Sequence, residues 1–551
     1  MNPPSEPRPA APDPAAAAGP PQSGSSASII GPLRDPVFRM LWLAWLAANV
    51  TMWMNDVASA WLMTSLTDSV VMVALVQAAS TLPVFVLGLP SGALADIVDR
   101  RRYFAMTQLW VALVAVLLGV LALTEALSAP LLLALTFANG IGMAMRWPVF
   151  AAIVPEVVKR PDLPSALALN GIAMNMSRVI GPVVAGALLA SAGSPYVFLL
   201  NAILSVSAFF LILRWRSQRK ASALPGERFL GAMRVGVQHV RESPRMRVVL
   251  VRIFLFFLQT TALTALLPLI ARAIGGGAGT FTMLLAAMGT GAVIVALFLL
   301  PMLRGRLDRD DLVRWGTVIH AVAAVVVVLS PTIWLAVPAM MIAGMMWLAV
   351  ANSLTLAAQM ALPDWVRARG MSIYQMALMG GSAAGAALWG YVASHSTLAI
   401  AIISASVAGP LVLLLTRRLT VGGVADEDLT LTSPISLARP PVIELHGDEG
   451  PVMVTVEYHV DPARAAEFSE VMRETRQARL RQGALSWGLF RDTADPGRYI
   501  EYFLDESWIE HQRRLERFTN ADVGLRARRL SFQLGDELPL VNRYIADSID
   551  R

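Results

Sequence analysis

An ionisable residue inside a long apolar run is costly, so each one is a functional hypothesis. Asp56, Arg146, Arg178, Arg252 and His320 all stand in such runs. A carboxyl group held away from water favours its neutral form and can carry a proton. Asp56 is therefore the first candidate for proton coupling. His320 is the second, because imidazole changes charge near neutral pH. Arg178 precedes Pro182 by one helical turn. It is either a contact for an anion, a partner for Asp56, or a structural charge bonded to a carbonyl that the proline leaves free. Asn49, Asn55, Arg146, Arg178, Asn352 and Gln359 are the candidate lining of a substrate cavity.

The elements that position these residues follow from composition. Of 551 residues, 56% are hydrophobic and only 15% charged, whereas a soluble domain carries nearer a quarter. Apolar runs recur through the first 418 positions at twelve places: 38–63, 69–92, 103–125, 129–151, 165–191, 195–213, 247–271, 280–303, 311–330, 332–357, 369–392 and 397–416. Each is long enough to cross a bilayer as a helix. Arginines crowd the even connections and the two flanks, at Arg34, Arg39, Arg100 to Arg102, Arg214 to Arg245, Arg304 to Arg309, Arg367 and Arg369. The odd connections are nearly free of them. By the positive-inside rule both termini face the cytoplasm, and the net charge of +6 reflects topology, with no nucleic-acid partner. Cysteine is absent, no metal or cofactor is expected, and no phosphate-binding Gly-x4-Gly-Lys-[Ser/Thr] loop offers direct ATP drive.

The chain divides into a disordered tail (1–30), a six-helix half (31–213), a basic cytoplasmic central loop (214–246), a second six-helix half (247–418), a linker (419–450) and a small domain (451–551). Two halves of six helices is a common transporter plan, with the substrate site between them near mid-depth. "VPEVVKRPDLPSALAL" and "LPDWVRARGMSIY" repeat one pattern after spans four and ten.

The loop "GALADIVDRRR" resembles the signature between helices two and three of the major facilitator superfamily. It carries Gly92, Leu94, Asp96 and the basic cluster Arg100, Arg101 and Arg102. Ile97 and Asp99 stand where the family has Arg and Gly. Gly92 permits close backbone approach. Asp96 can face the positive N-terminal end of span eleven, which begins after Asp364 with Arg367 and Arg369; the arginines can reach Glu156. This set is the expected gate. In span five, Gly181, Pro182 and Gly186 look like the Gly-Pro motif of exporters driven by proton antiport. These small residues are expected to pack span five on span eight at Gly289 and Gly291. The layout as a whole is similar to bacterial transmembrane secretion effectors, exporters like that of enterobactin.

After residue 450 the pattern changes. "VMVTVEYHV" alternates as a half-buried strand, and the order β-α-β-β-α-β is ferredoxin-like. The tail resembles antibiotic-biosynthesis monooxygenase-like domains, a resemblance carried by "SWIEHQRRLERFTNAD". It implies a dimerising or regulatory module, with His511 and Trp508 the residues to watch.

The expectation is thus an all-α polytopic membrane protein of twelve helices in a 6+6 major facilitator fold, plus a small α+β domain. It is a secondary active transporter of the bacterial inner membrane, not an enzyme. It exports a small organic molecule (siderophore, drug or secondary metabolite) by proton antiport, and forms a homodimer through the tail. The alternative is a ligand-sensing or cofactor-free monooxygenase protein for which the membrane part is chiefly an anchor. The linker, lacking an apolar stripe, is expected to leave the tail undocked.

Overall fold

The computed structural model describes residues 30–158, 162–215, 229–299, 302, 308–422, 428–432, 441–535 and 537–547, with side chains at 92, 93, 95–97, 148, 151, 152, 155, 156, 164, 229, 230 and 232 excepted. The first half comprises α1 (Pro36–Leu66), α2 (Val70–Ile97), α3 (Arg100–Leu123), α4 (Ala129–Val157), α5 (Leu163–Ser191) and α6 (Ser194–Arg214). A shorter amphipathic helix, α7 (Phe229–Glu242), lies in the central connection. The second half comprises α8 (Pro244–Ala273), α9 (Ala278–Ile294), α10 (Arg309–Leu329), α11 (Ile333–Met360), α12 (Arg367–His395) and α13 (Leu398–Leu415). Among the described residues, twelve helices are long and apolar enough to cross a membrane, one for each expected span. The start of α1 and the end of α13 lie on one face, here the terminal face.

Polar side chains at the loop ends start these helices. The Asp35 carboxylate accepts from the Val37 and Phe38 amides at 2.7 and 3.0 Å. Asp99 accepts from the Arg102 amide at 2.9 Å. Asp99, which departs from the loop signature, is therefore the N-cap of α3. Asp308 and Thr397 cap α10 and α13 in the same way.

Glycine sets how closely the helices pack, because a backbone without Cβ lets two helices approach to van der Waals contact. Gly291 and Gly344 form a reciprocal pair: a Cβ on either would meet the carbonyl of Met341 or Met288. Gly381 and Gly385 of α12 lie against the Phe254 and Leu258 carbonyls of α8, and the Trp389 indole donates to the Leu258 carbonyl at 2.7 Å. One expectation changes here. Gly289 does lie on α5, at the Arg178 carbonyl, but Gly291 packs on α11 and not on α5. Gly181 packs on α1 at Trp53, and Gly186 alone of the α5 motif meets α9, at Thr282.

Beyond α13, four strands form one antiparallel sheet: β1 (Val452–His459), β2 (Ser486–Arg491), β3 (Arg498–Asp505) and β4 (Leu540–Ile545), in the order β2-β3-β1-β4. Helix α14 (Ala465–Arg481) follows β1, and α15 (Trp508–Glu516) and α16 (Asn520–Leu530) follow β3. The single expected helix is broken because Thr519 and Asp522 form a capping box that starts a new one. Val454, Val456, Tyr458 and Phe503 pack under Phe468 and Met472 of α14.

Substituting Leu for Gly344 forces a side chain into the Met288 backbone, an overpacking cost of about 1–3 kcal/mol. Gly171 has open space around it, so Gly171→Ala removes only chain entropy and stabilises by about 0.5–1 kcal/mol. Thermal melts of the detergent-solubilised protein should shift in opposite directions for the two variants.

Candidate functional site

The seam between the halves is closed on the face opposite the termini. Trp61 of α1 stacks on Phe281 of α9 with centroids 6.0 Å apart, and Arg272 at the end of α8 lies 5.4 Å over Trp61. Gly390 of α12 lies against Ala74 of α2 at the same level. Gly289 meets the Arg178 carbonyl at mid-depth.

Arg178 is the charged residue at the mid-depth level of this junction. Its guanidinium lies 4.6 Å from the Trp347 ring of α11 and 5.7 Å from the Trp53 ring of α1. It therefore touches both halves. Its Nε is buried and has no acceptor among the described residues. Asp56 stands one turn beyond Trp53 on the same helix. It is half-buried and takes part in no ion pair with Arg178 or with any other described residue. The two candidates do not neutralise each other at contact distance.

The other intramembrane candidates lie elsewhere. Arg146 is fully buried in the first half, where it donates to the Ala48 carbonyl at 2.8 Å and lies 5.7 Å from the Trp45 ring. It lines a small internal cavity with Asn139 and Asn201. Asn49 donates to the Trp45 carbonyl at 2.8 Å and, like Asn55, is fully buried. Arg146 and Asn49 thus make their contacts within the first half. Asn352 is half-buried and Gln359 exposed near the terminal face. His320 bonds the Ala343 carbonyl at 3.0 Å and shares a cavity with Gln259 and Ser406 inside the second half. Arg252 anchors the end of α13 by donating to the Thr416 hydroxyl and to the Thr416 and Leu419 carbonyls at 2.6–2.8 Å.

Of the expected gate, the side chains of Gly92, Asp96 and Glu156 lie outside the described residues. Arg101 donates to the Leu213 carbonyl at the end of α6. Arg102 is exposed, and Arg100 is half-buried. Asp364 and Arg367 pair locally at 2.6 Å. Arg369 packs its stem against Gly236 of α7. Helix α7 thus lies beside the start of α12, at the place expected for the gate.

The small domain docks on this same helix. Arg234 pairs with Glu506 at 2.7 Å, and Gln238 donates to the Ala484 carbonyl at 2.7 Å. His239 bonds the Arg481 carbonyl at 3.0 Å. Trp365, between α11 and α12, has the His239 ring edge-on at 5.4 Å and the Arg517 guanidinium 4.7 Å from its own ring. The expectation of an undocked tail is overturned, because the contacts come from the domain's own loops and from α7, not from an apolar stripe in the linker. The described parts of the linker are also bonded. Asp310 accepts from the Val421 and Gly422 amides at 2.8 and 3.0 Å, and Thr430 and Asp428 accept from the Asn520 and Ala521 amides.

Inside the domain, carboxylates on β3 point at the helices. Glu501 is fully buried and accepts from Arg479 Nε (2.9 Å), Trp487 Nε1 (3.0 Å) and the Tyr458 hydroxyl (2.9 Å). Burial pushes its carboxyl up, but Arg479 and Arg529 more than offset this and bring it down to about 2. Asp505 accepts from His511 Nδ1 at 2.7 Å and from Arg514 Nε at 2.9 Å. His511, flagged with Trp508 in the sequence, stacks on that indole with centroids 5.4 Å apart. Burial moves the His511 imidazole below its usual range.

Sequence reasoning missed α7, Trp53, Trp347 and Trp365. The signal for α7 was present in "FLGAMRVGVQHVRE", whose apolar residues recur at helical spacing. Glu501 and Asp505 fall on the inward parity of "RYIEYFLDE", a readable sign of buried acids that need partners. The tryptophans carry no such mark, because an indole in an apolar run reads first as packing.

The chain is similar to known proteins. The family model described as transmembrane secretion effector matches residues 27–551. A staphyloferrin A transporter of Staphylococcus aureus (strain NCTC 8325 / PS 47) is 23% identical over 254 residues, 46% of this chain and 64% of that protein. Among solved structures, a bacterial homologue of the human lysosomal transporter Spinster, in an inward-facing and unoccupied conformation, superposes with a TM-score of 0.55 at 16% identity, covering 70% of this chain and 96% of its own. The nucleoside transporter NupG gives 0.55 at 12% identity, with 70% and 98% covered. At these identities the solved structures show a shared fold.

The docking contact carries a pH dependence. Burial, with Arg481 and Arg517 nearby, pushes the His239 imidazole down to about 4. The docked state therefore binds fewer protons than the undocked one between about pH 6.5 and 4, so docking is full above that window and weakens as pH falls through it. Energy transfer between labels on Val237→Cys and Leu534→Cys should drop across this range, and His239→Gln should remove the drop.

Proposed function

We propose, starting from a chain that belongs to the transmembrane secretion effector family, that it exports small organic molecules by proton antiport with alternating access. Family membership makes the protein a multi-pass membrane transporter of the major facilitator type and displaces the enzyme-with-anchor alternative. The direction, the coupling ion and the substrate class are the proposal. The observation that carries it is Asp56, a half-buried carboxylate one turn beyond Trp53 on α1, with no ion pair or hydrogen bond to any described residue. A charge in such a place is retained for function. A carboxylate free of fixed partners can exchange its proton between the two openings of the seam, which a carboxylate locked in a salt bridge cannot do. Siderophores, drugs and secondary metabolites are the proposed cargo; a relative named for staphyloferrin A supports this class.

In the proposed cycle, contacts such as Trp61 on Phe281 close one face while substrate and proton exchange at the other. The terminal face is the cytoplasmic one, and the bacterial inner membrane is the proposed location. Proteoliposomes loaded with substrate should show efflux that follows an imposed pH gradient. Asp56→Asn should reduce the gradient-driven component at least tenfold while substrate exchange at equal pH continues. Gradient-driven efflux at the wild-type rate in a well-inserted Asp56→Asn would count against the coupling role.

The small domain, with its β2-β3-β1-β4 order, is proposed to be a ferredoxin-like module of the monooxygenase-like type that joins two copies of the chain. Its helix-free sheet face supports this. It exposes Phe490, Leu540 and Tyr544, and Phe490 stacks on Tyr502 with centroids 5.6 Å apart. The native chain has no cysteine, so a single Thr455→Cys near the middle of that face is an unambiguous reporter. A short bis-maleimide should convert it to a covalent dimer in membranes, and persistence of monomer would exclude this interface.

A further inference from the structure

We infer that the seam selects an organic anion and that Arg178 is the residue that selects it. The inference rests on the transporter reading and names the charge class of the substrate. It begins from a difference among the arginines that are buried or half-buried. Arg146 donates to the Ala48 carbonyl, Arg252 to one hydroxyl and two carbonyls, and Arg514 to the Asp505 carboxylate. Each of these donates to at least one fixed acceptor of the protein, although Arg146 Nε is also without one among the described residues, and each sits within one half or within the small domain. Arg178 has two ring contacts, to Trp347 and Trp53, and its Nε is buried without an acceptor among the described residues.

The distinction is geometric. A guanidinium has two faces and an edge. Its faces interact with aromatic rings, and its edge carries five N–H donors in a fixed fork that matches a carboxylate. At Arg178 the rings of the two halves provide for the faces, while the edge is left for something that is not part of the described protein. Contacts to two rings restrict where the head can lie, so a bidentate acceptor meets a partly preoriented fork. Because Trp53 belongs to α1 and Trp347 to α11, an anion on that edge would be held between the moving halves. A flat or partly apolar body on the same anion would find indole surface beside it. A cationic molecule would meet like charge in a poorly solvated place.

Asp56 does not fill the edge, since it makes no ion pair with Arg178. The two residues therefore have separate tasks in this scheme: Arg178 holds the anion and Asp56 exchanges the proton.

The test uses the purified full-length protein in detergent. Citrate and 2,3-dihydroxybenzoate are the anionic probes, and the cationic dye rhodamine 6G is the control. Binding is read from tryptophan fluorescence, with Trp53→Phe and Trp347→Phe assigning the signal. The wild type should bind at least one anion, and tighter than the dye by tenfold or more. Arg178→Gln should weaken that binding at least tenfold. Arg178→Lys keeps the charge and much of the volume but not the fork. It should bind with intermediate affinity, which separates loss of selection from loss of fold. The inference is overturned if neither anion binds, if rhodamine 6G binds the wild type more tightly than both, or if Arg178→Gln binds the anion within twofold of wild type. Anion binding through Arg178 without gradient-driven efflux would leave this inference standing and remove the antiport reading; proton-driven efflux of a cation would do the reverse.

Discussion

Taking a guanidinium out of water costs several kcal/mol unless its donors find acceptors. In a bilayer the surrounding hydrocarbon offers none. The described structure meets this constraint in three ways. Arg146 and Arg252 borrow acceptors from neighbouring helices, and in doing so they fix α4 to α1 and the end of α13 to α8. Arg479 and Arg514 use carboxylates of their own sheet, which ties α14 and α15 to β3. Arg178 uses two indoles, one from each half. The first two solutions make rigid bodies. The third lies between rigid bodies, where a directional bond to backbone would resist motion and a ring contact permits sliding.

The close approach of helices depends on glycine in a complementary way. Where Gly291 and Gly344 interlock, or where Gly381 and Gly385 meet the α8 carbonyls, the partners belong to one half. Across the seam Gly186 and Gly289 join α5 to α9, and Gly88, Gly380 and Gly390 join α2 to α12.

Much of this was legible in the sequence. Apolar length and arginine placement gave twelve helices in two sets of six, because the bilayer imposes both signals on every span. Alternation gave the strands of the small domain. What could not be read was which polar residues inside the helices face open space. Arg146 and Arg178 occupy similar sequence surroundings, yet one is sealed in a half and the other stands at the seam. That difference is set by helix rotation, and helices apolar on every side carry no amphipathic stripe from which rotation could be inferred. The docking of the domain was also hidden. It depends on backbone carbonyls at Arg481 and Ala484 and on one indole at Trp365, groups that leave no compositional trace.

The attachment of the small domain has a mechanical consequence. Arg252 and Asp310 fasten the chain where it leaves α13, and the domain rests on α7 and Trp365. α8 and α10, which carry Arg252 and Asp310, belong to the second half, as do α11 and α12 on either side of Trp365, and α7 leads directly into α8. The domain is therefore ballast on one arm of a two-armed rocker. A slight tilt of that arm sweeps the outer sheet edge through a longer arc than any residue in the seam. Two chains joined face to face by their sheets would have to tilt in step or strain the joint, so the timing of one pump would be imposed on the other.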